Sequence, residues 1–155
     1  MKLVAKQDID APIDQVFAEV SDFDRFLHGA VQRGATIERT DTLAVPGVGM
    51  TWDAAFDLRG RRRETTVRMT DYDRPNGMRF EAESAGLDAT CWIELVALSP
   101  QATRMKLHTE LTPNTLSARL LVQSLKLAKA SLVTRMEARL AKYGRAIEDR
   151  ARRQA

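Results

Sequence analysis

The sequence predicts an α+β fold in which a curved antiparallel sheet wraps around a long carboxy-terminal helix, with one or two short helices after the first strand. Three observations carry this. Apolar residues alternate with period two through most of residues 36–111, as in half-buried strands. Residues 115–150 contain no proline and a single glycine, and hold an apolar stripe at helical spacing. A shorter stripe at three- and four-residue spacing follows an initial extended segment.

Residues 2–10 read as the first strand, with Leu3, Ala5, Gln7 and Ile9 on one face. Pro12 suits a first helical turn, and Asp14 suits the positive end of a helix dipole. Ile13, Val16, Phe17, Val20 and Leu27 form one stripe, and His28, Gly29 and Gly34 place a break or a second short helix near position 28. Met50, Trp52, Ala54, Phe56 and Leu58 then alternate with Thr51, Asp53, Ala55, Asp57 and Arg59. Gly60-Arg61 and Pro75-Asn76-Gly77 mark turns. Met78, Phe80 and Ala82 face oppositely to Arg79, Glu81 and Glu83, and the same parity runs through residues 89–96 and 104–111. Successive strands with short turns make an antiparallel meander with one buried face. Pro113 ends it, and Asn114 or Thr115 can cap the final helix. Leu121, Leu125, Ala128, Leu132, Met136, Tyr143 and Ile147 form that helix's main stripe.

At 155 residues, 44% of them apolar and 29% charged, the chain is expected to form one domain over 1–155. One cysteine excludes an internal disulfide, and with two histidines it makes a structural zinc site unexpected; no metal or cofactor is predicted. Lys6, Asp8 and Asp10 interrupt the amino terminus before a signal-peptide core develops, and no stretch is long and apolar enough to span a bilayer, so a cytoplasmic protein is expected. The net charge of +3 divides unevenly. Residues 115–155 hold ten Lys/Arg against three Asp/Glu, and residues 1–114 hold fourteen against eighteen. A solvated helix face or an anionic partner would each fit this basic end.

Strand parity gives a candidate inner lining: Trp52, Phe56, Val67, Met69, Met78, Phe80, Cys91, Ile93, Met105 and Leu107, with Leu121, Leu125, Leu132 and Met136 from the helix. Methionines among aromatics make an adaptable apolar surface, suited to a hydrophobic ligand or simply to filling a core. Inward polar groups are Thr65, Ser84, Thr103 and Thr109, while Asp53, Asp57, Glu64, Glu81, Glu83, Glu94 and Glu110 take the outward parity. No buried carboxylate pair for acid–base work is therefore expected. His28, at the helix break, is the one weak acid–base candidate; His108 alternates outward beside Arg104 and Lys106. Cys91 reads as a small buried hydrophobe. The run Arg61-Arg62-Arg63 lacks the interleaved aromatics that stacking on nucleic acid requires, so nucleic acid is not an expected partner. Leu116, Leu120 and Leu127 point away from the main helical stripe. They suggest a homodimer or a transient membrane contact.

The stretch Ile9-Asp10-Ala11-Pro12-Ile13-Asp14-Gln15-Val16-Phe17, followed by Asp22-Phe23-Asp24-Arg25-Phe26, resembles the START-like (SRPBCC, helix-grip) superfamily and its polyketide cyclase/dehydrase-type branch. Val48-Gly49-Met50-Thr51-Trp52 and Arg74-Pro75-Asn76-Gly77-Met78 match the usual layout of that superfamily. Where its members commonly carry a tryptophan soon after the first helix, this chain has Phe26 and His28. The resemblance implies a cavity between sheet and helix for a lipid, isoprenoid or polyketide-like molecule. It would act in binding or carriage, or alternatively in a cyclase or dehydratase reaction without metal. A third possibility is a protein- or membrane-interaction module using the basic helix.

Overall fold

The computed structural model describes residues 1–58 and 60–154. Seven strands form one antiparallel sheet: β1 (Lys2–Ile9), β2 (Thr36–Arg39), β3 (Thr51–Leu58), β4 (Arg61–Asp73), β5 (Gly77–Ser84), β6 (Leu87–Ser99) and β7 (Ala102–Pro113). Their spatial order is β1-β7-β6-β5-β4-β3-β2, so the meander runs inward from β2 and β1 closes on β7. Two short helices, α1 (Ile13–Val20) and α2 (Phe23–Gln32), link β1 to β2, and α3 (Leu116–Leu127) and α4 (Lys129–Gln154) end the chain.

The register fixes which side chains share the inner face. Trp52 lies opposite Val67, Ala54 opposite Thr65, and Phe56 opposite Arg63. Phe80 pairs with Met69 and Cys91, and Ile93 with Met78 and Leu107. A register shift between Met69 and Asp71 turns Tyr72 inward opposite Met78, the local effect of a bulge. Beyond the described residues lies Arg59, the last member of the predicted alternation in β3. Arg61 is not in the turn: it already pairs with Leu58, and Gly60 before it takes φ 73°.

The helices depart from the sequence expectation in two places. The break in the first helical region comes at Ser21-Asp22, six residues before His28. There the Ser21 hydroxyl donates to the Phe17 carbonyl at 2.7 Å, and the Asp22 carboxylate accepts from the Arg25 N–H to cap α2. The carboxy-terminal helix is also two segments rather than one. Ala128 leaves helical geometry (φ −99°, ψ 11°), and its N–H bonds to the Leu125 carbonyl. Neither proline nor glycine causes this break; the two segments serve different surfaces. α3 buries Ala118 and Val122 against Leu87, with Leu111 and Met1 alongside. α4 lies along β1, where a Cβ on Gly144 would already touch Ile9 and Gln7.

The core occupies the end of the inner face nearest α1. Ile9, Val16, Phe17, Met50, Met69, Met78, Leu95, Met105 and Ile147 pack into one cluster. Thr103 is fully buried there, its hydroxyl donating to the Ala11 carbonyl at 2.8 Å and so avoiding the cost of an unpaired polar group. Tyr143 closes the same end, its hydroxyl donating to the Glu19 carbonyl at 3.1 Å. Burial and the Glu19 charge raise its pKa to about 12.

Candidate ligand-binding face

The inner face is unevenly covered. Near α1, Met69 is 1% exposed, and Met78 and Met105 are 2% exposed each. Two to four residues further along the strands, toward the β3–β4 and β5–β6 hairpins, the inward side chains are only half-buried. These are Phe56, Thr65, Ala82, Cys91, Leu107 and Thr109. On the terminal helices, Leu132 and Met136 of α4 are half-buried too, and Leu125 of α3 is buried. The predicted lining therefore divides. Met69, Met78 and Met105 are core, and Trp52 and Phe80 stand at the boundary. Phe56, Cys91, Leu132 and Met136 are half-buried and lie outside that core.

The boundary is an aromatic group. Phe23, from the first turn of α2, meets Trp52 edge-on at 5.7 Å between ring centroids, and Phe80 at 6.3 Å; Trp52 and Phe80 are 6.0 Å apart. Beyond Phe23, α2 continues with an apolar arc of Phe26, Leu27, Ala30 and Val31, yet not one residue of this helix is buried. An amphipathic helix ordinarily buries such a face. Here it stands beside β2 with Phe26 and Val31 exposed.

The polar groups of the open part are mostly occupied. The Thr65 hydroxyl donates to the Glu83 carbonyl at 3.0 Å, and Ser84 to the Leu87 carbonyl at 2.9 Å. Thr109 directs its hydroxyl at the Cys91 sulfur, 3.9 Å away, and burial pushes the Cys91 thiol up, favouring its neutral form. Asp53, Asp57, Glu64, Glu81, Glu83, Glu94 and Glu110 all hold outer-face register positions. Arg63 and Arg61 do not: opposite Phe56 and Leu58, they take inner-face positions, Arg63 half-buried and Arg61 exposed at the hairpin end.

His28 lies exposed on α2, its Nε2 3.1 Å from Gln32 Nε2, and it does not reach the inner face of the sheet. His108 is on the outer face, stacked on Trp92 at 4.7 Å with an interplanar angle of 3°, while Arg79 covers Trp92 at 5.0 Å. A groove of about 750 Å³ opens near β2–β5, and its lining includes the outer-face carboxylates Glu38, Asp53, Glu64 and Glu83. A smaller one, about 250 Å³, lies between α1 and α4 around Glu19, whose carboxylate pairs with Arg25 at 3.1 Å and Arg150 at 2.7 Å. Neither groove contains the predicted lining residues. Among the described residues no three His, Cys, Asp or Glu side chains gather as a metal site, and no helix is long and apolar enough to cross a membrane.

No family model and no curated protein matches this sequence. Solved structures do match. The protein TTHA0849 from Thermus thermophilus is similar over 100% of this chain and 99% of its own, at 16% identity and a TM-score of 0.68. The Zhui aromatase/cyclase from Streptomyces sp. R1128 is similar over 99% and 94%, at 13% identity and a TM-score of 0.66. Norcoclaurine synthase from Thalictrum flavum is similar over 96% and 84%, at 15% identity and a TM-score of 0.65. At these identities the likeness is one of fold. With its seven-stranded sheet, paired short helices and terminal helices, the chain has the helix-grip fold that it shares with these structures.

Proposed function

We propose that this protein binds or carries a hydrophobic small molecule, of lipid, isoprenoid or polyketide-like character, on the open part of its inner face. The observation that carries the reading is the graded burial along single strands. Met105 is sealed, while Leu107, two residues on and facing the same way, is only half-buried among other apolar side chains. Exposing apolar surface costs about 25 cal/mol per Å², so half-buried apolar side chains beside a helix that leaves Phe26 and Val31 exposed favour an apolar occupant. A cyclase or dehydratase reaction is the second reading, because an aromatase/cyclase shares the fold. The inward positions offer hydroxyls, a neutral thiol and Arg63 rather than a carboxylate–histidine set, so binding has the stronger support. Native mass spectrometry of the purified protein, followed by solvent extraction, tests the proposal. A co-purifying apolar molecule, or saturable uptake of an added one, is expected; neither would occur if the hollow were merely loosely packed core.

A membrane contact through α3 is part of the same proposal. Leu116, Leu120 and Leu127 are 73%, 61% and 93% exposed, and no acidic residue occurs between Glu110 and Glu137. Arg119 and Lys126 flank the leucines, a pattern suited to an anionic lipid surface. Leu120→Glu is expected to abolish co-sedimentation with anionic vesicles. If vesicle binding is unchanged, or if only a dimer is lost, the membrane contact is wrong.

A further inference from the structure

The hairpin between β3 and β4 reaches beyond its neighbours in the sheet. Thr66 pairs with Glu83 and β5 ends at Ser84, so Arg61, Arg62 and Arg63 have no β5 partner in the ladder. On the other side β2 begins at Thr36, opposite Ala55, and residues 56–58 have no β2 partner. From the pair Phe56/Arg63 to the pair Leu58/Arg61 the hairpin is therefore an arm two strands wide. A two-stranded ribbon is marginally stable by itself, so a surface that bears on it helps to hold it. Its charge is one-sided: residues 56–64 hold four arginines against Asp57 and Glu64. Arg62 is engaged, with Asp57 at 3.6 Å and the Gly34 carbonyl at 3.1 Å. Arg61 is exposed and, among the described residues, has no ion-pair partner.

The same end of the sheet carries α3. The Asn114 N–H donates to the Gly86 carbonyl at 2.7 Å, which ties the start of α3 to the β5–β6 turn, and Ala118 and Val122 pack on Leu87 just past that turn. The exposed side of α3 holds Leu116, Leu120 and Leu127 together with Arg119 and Lys126, and no carboxylate in the helix offsets them. Exposed leucines beside cations, and an unpaired arginine on a projecting ribbon, match the two layers of an anionic bilayer: charged headgroups over an apolar interior. Nucleic acid fits the arginines alone and leaves the leucines uncovered. We infer that the β3–β4 arm and α3 together seat the protein on an anionic lipid bilayer, the arm's arginines meeting headgroup phosphates while the α3 leucines enter the acyl boundary. The inference rests on the α3 membrane contact proposed above and adds a second anchor. With it comes an orientation: the hairpin end of the sheet, where the inward side chains are only half-buried, stands toward the lipid.

Co-sedimentation with vesicles of equal parts phosphatidylcholine and phosphatidylglycerol tests the arm. A cation near such a surface strengthens binding roughly fivefold. Arg61→Glu removes one and adds a repulsion of similar size, so binding is expected to weaken on the order of 20-fold, while Arg61→Lys leaves it nearly unchanged. Arg145→Glu is the control. It makes the same change of net charge on an exposed position of α4 beside Gly144, where that helix meets Ile9 at the opposite end of β1, and is expected to alter binding less than about twofold. If Arg61→Glu binds vesicles as the wild type does while Leu120→Glu does not, the arm is no anchor and the α3 contact stands. Equal losses from Arg61→Glu and Arg145→Glu also overturn the inference, because net charge rather than the arm would then set binding. Retention of duplex DNA that depends on Arg61, with no binding to vesicles, would assign the arm to nucleic acid instead. A wild-type chain that ignores both vesicles and DNA overturns the inference and the membrane contact beneath it.

Discussion

Met105 and Leu107 sit two residues apart on β7, face the same way, and are expected to respond very differently to truncation. Met105 is 2% exposed within the main cluster, so Met105→Ala removes buried methylene and thioether atoms and leaves a cavity that close-packed neighbours cannot refill. The loss should be about 3 kcal/mol, within the range for Met→Ala in cores. Leu107 is half-buried and pairs with Ile93 and Ala5 across the sheet. Its truncation gives up only part of the roughly 1.5–3 kcal/mol for a fully buried leucine and encloses no new void, so about 1 kcal/mol is expected. Urea unfolding, with the m-value held as the check on two-state behaviour, measures both. For a chain of this length the difference corresponds to roughly 4–8 °C in Tm. Ligand affinity should move the other way, weakened by Leu107→Ala and nearly untouched by Met105→Ala. Equal losses of stability would mean that the inner face is uniformly packed, and the argument for an open hollow would fall.

Other outcomes follow from single contacts. Gly77→Ala is expected to destabilise the fold by more than about 2 kcal/mol in the same assay, because the added Cβ would collide with the Ile93 backbone carbonyl, which the β5–β6 ladder holds in place. Tyr143→Phe should cost about 1 kcal/mol by thermal unfolding, since the Glu19 carbonyl loses its hydroxyl donor at a part-buried site. The Asp41 carboxylate accepts from Arg39 and from the Leu43 and Thr51 N–H groups, and these contacts hold its pKa below the ordinary carboxylate range. A depressed folded pKa contributes stability above the unfolded value and loses it as pH falls through the folded one. Amide-exchange protection at Leu43 and Thr51 should therefore persist at about pH 4 and disappear only at lower pH. Asp41→Asn should remove it throughout, and loss already near the ordinary carboxylate range in the wild type would refute the assignment.

Much of this architecture was legible in the sequence because sheet parity is a local signal. Alternation from Met50 to Leu58 and from Met78 to Glu83 fixed which side chains share a face, and the carboxylates fell outward as their parity required. Depth along a strand is another matter. Nothing in Met105 against Leu107, or in Met69 against Phe56, tells how far a helix covers them. That depends on where α4 lies, and α4 follows β1 rather than the middle of the sheet. The division at Ala128 was likewise hidden, because the local sequence is good helix throughout and the break answers to two separate packing surfaces. His28 was placed by a misjudged break: the Ser21 and Asp22 side chains end and restart the helix earlier, and leave His28 exposed on α2.

The methionine methyl groups report on the hollow directly. Met50, Met69, Met78 and Met105 belong to the sealed cluster, and Met136 of α4 is half-buried outside it, where the proposal puts the ligand. In a ¹³C-methyl methionine spectrum titrated with decanoate, the Met136 resonance is expected to shift in a saturable way while those four hold their positions. Saturable shifts at Met69, Met78 and Met105 with none at Met136, or no shift anywhere, would contradict a ligand site on the open inner face.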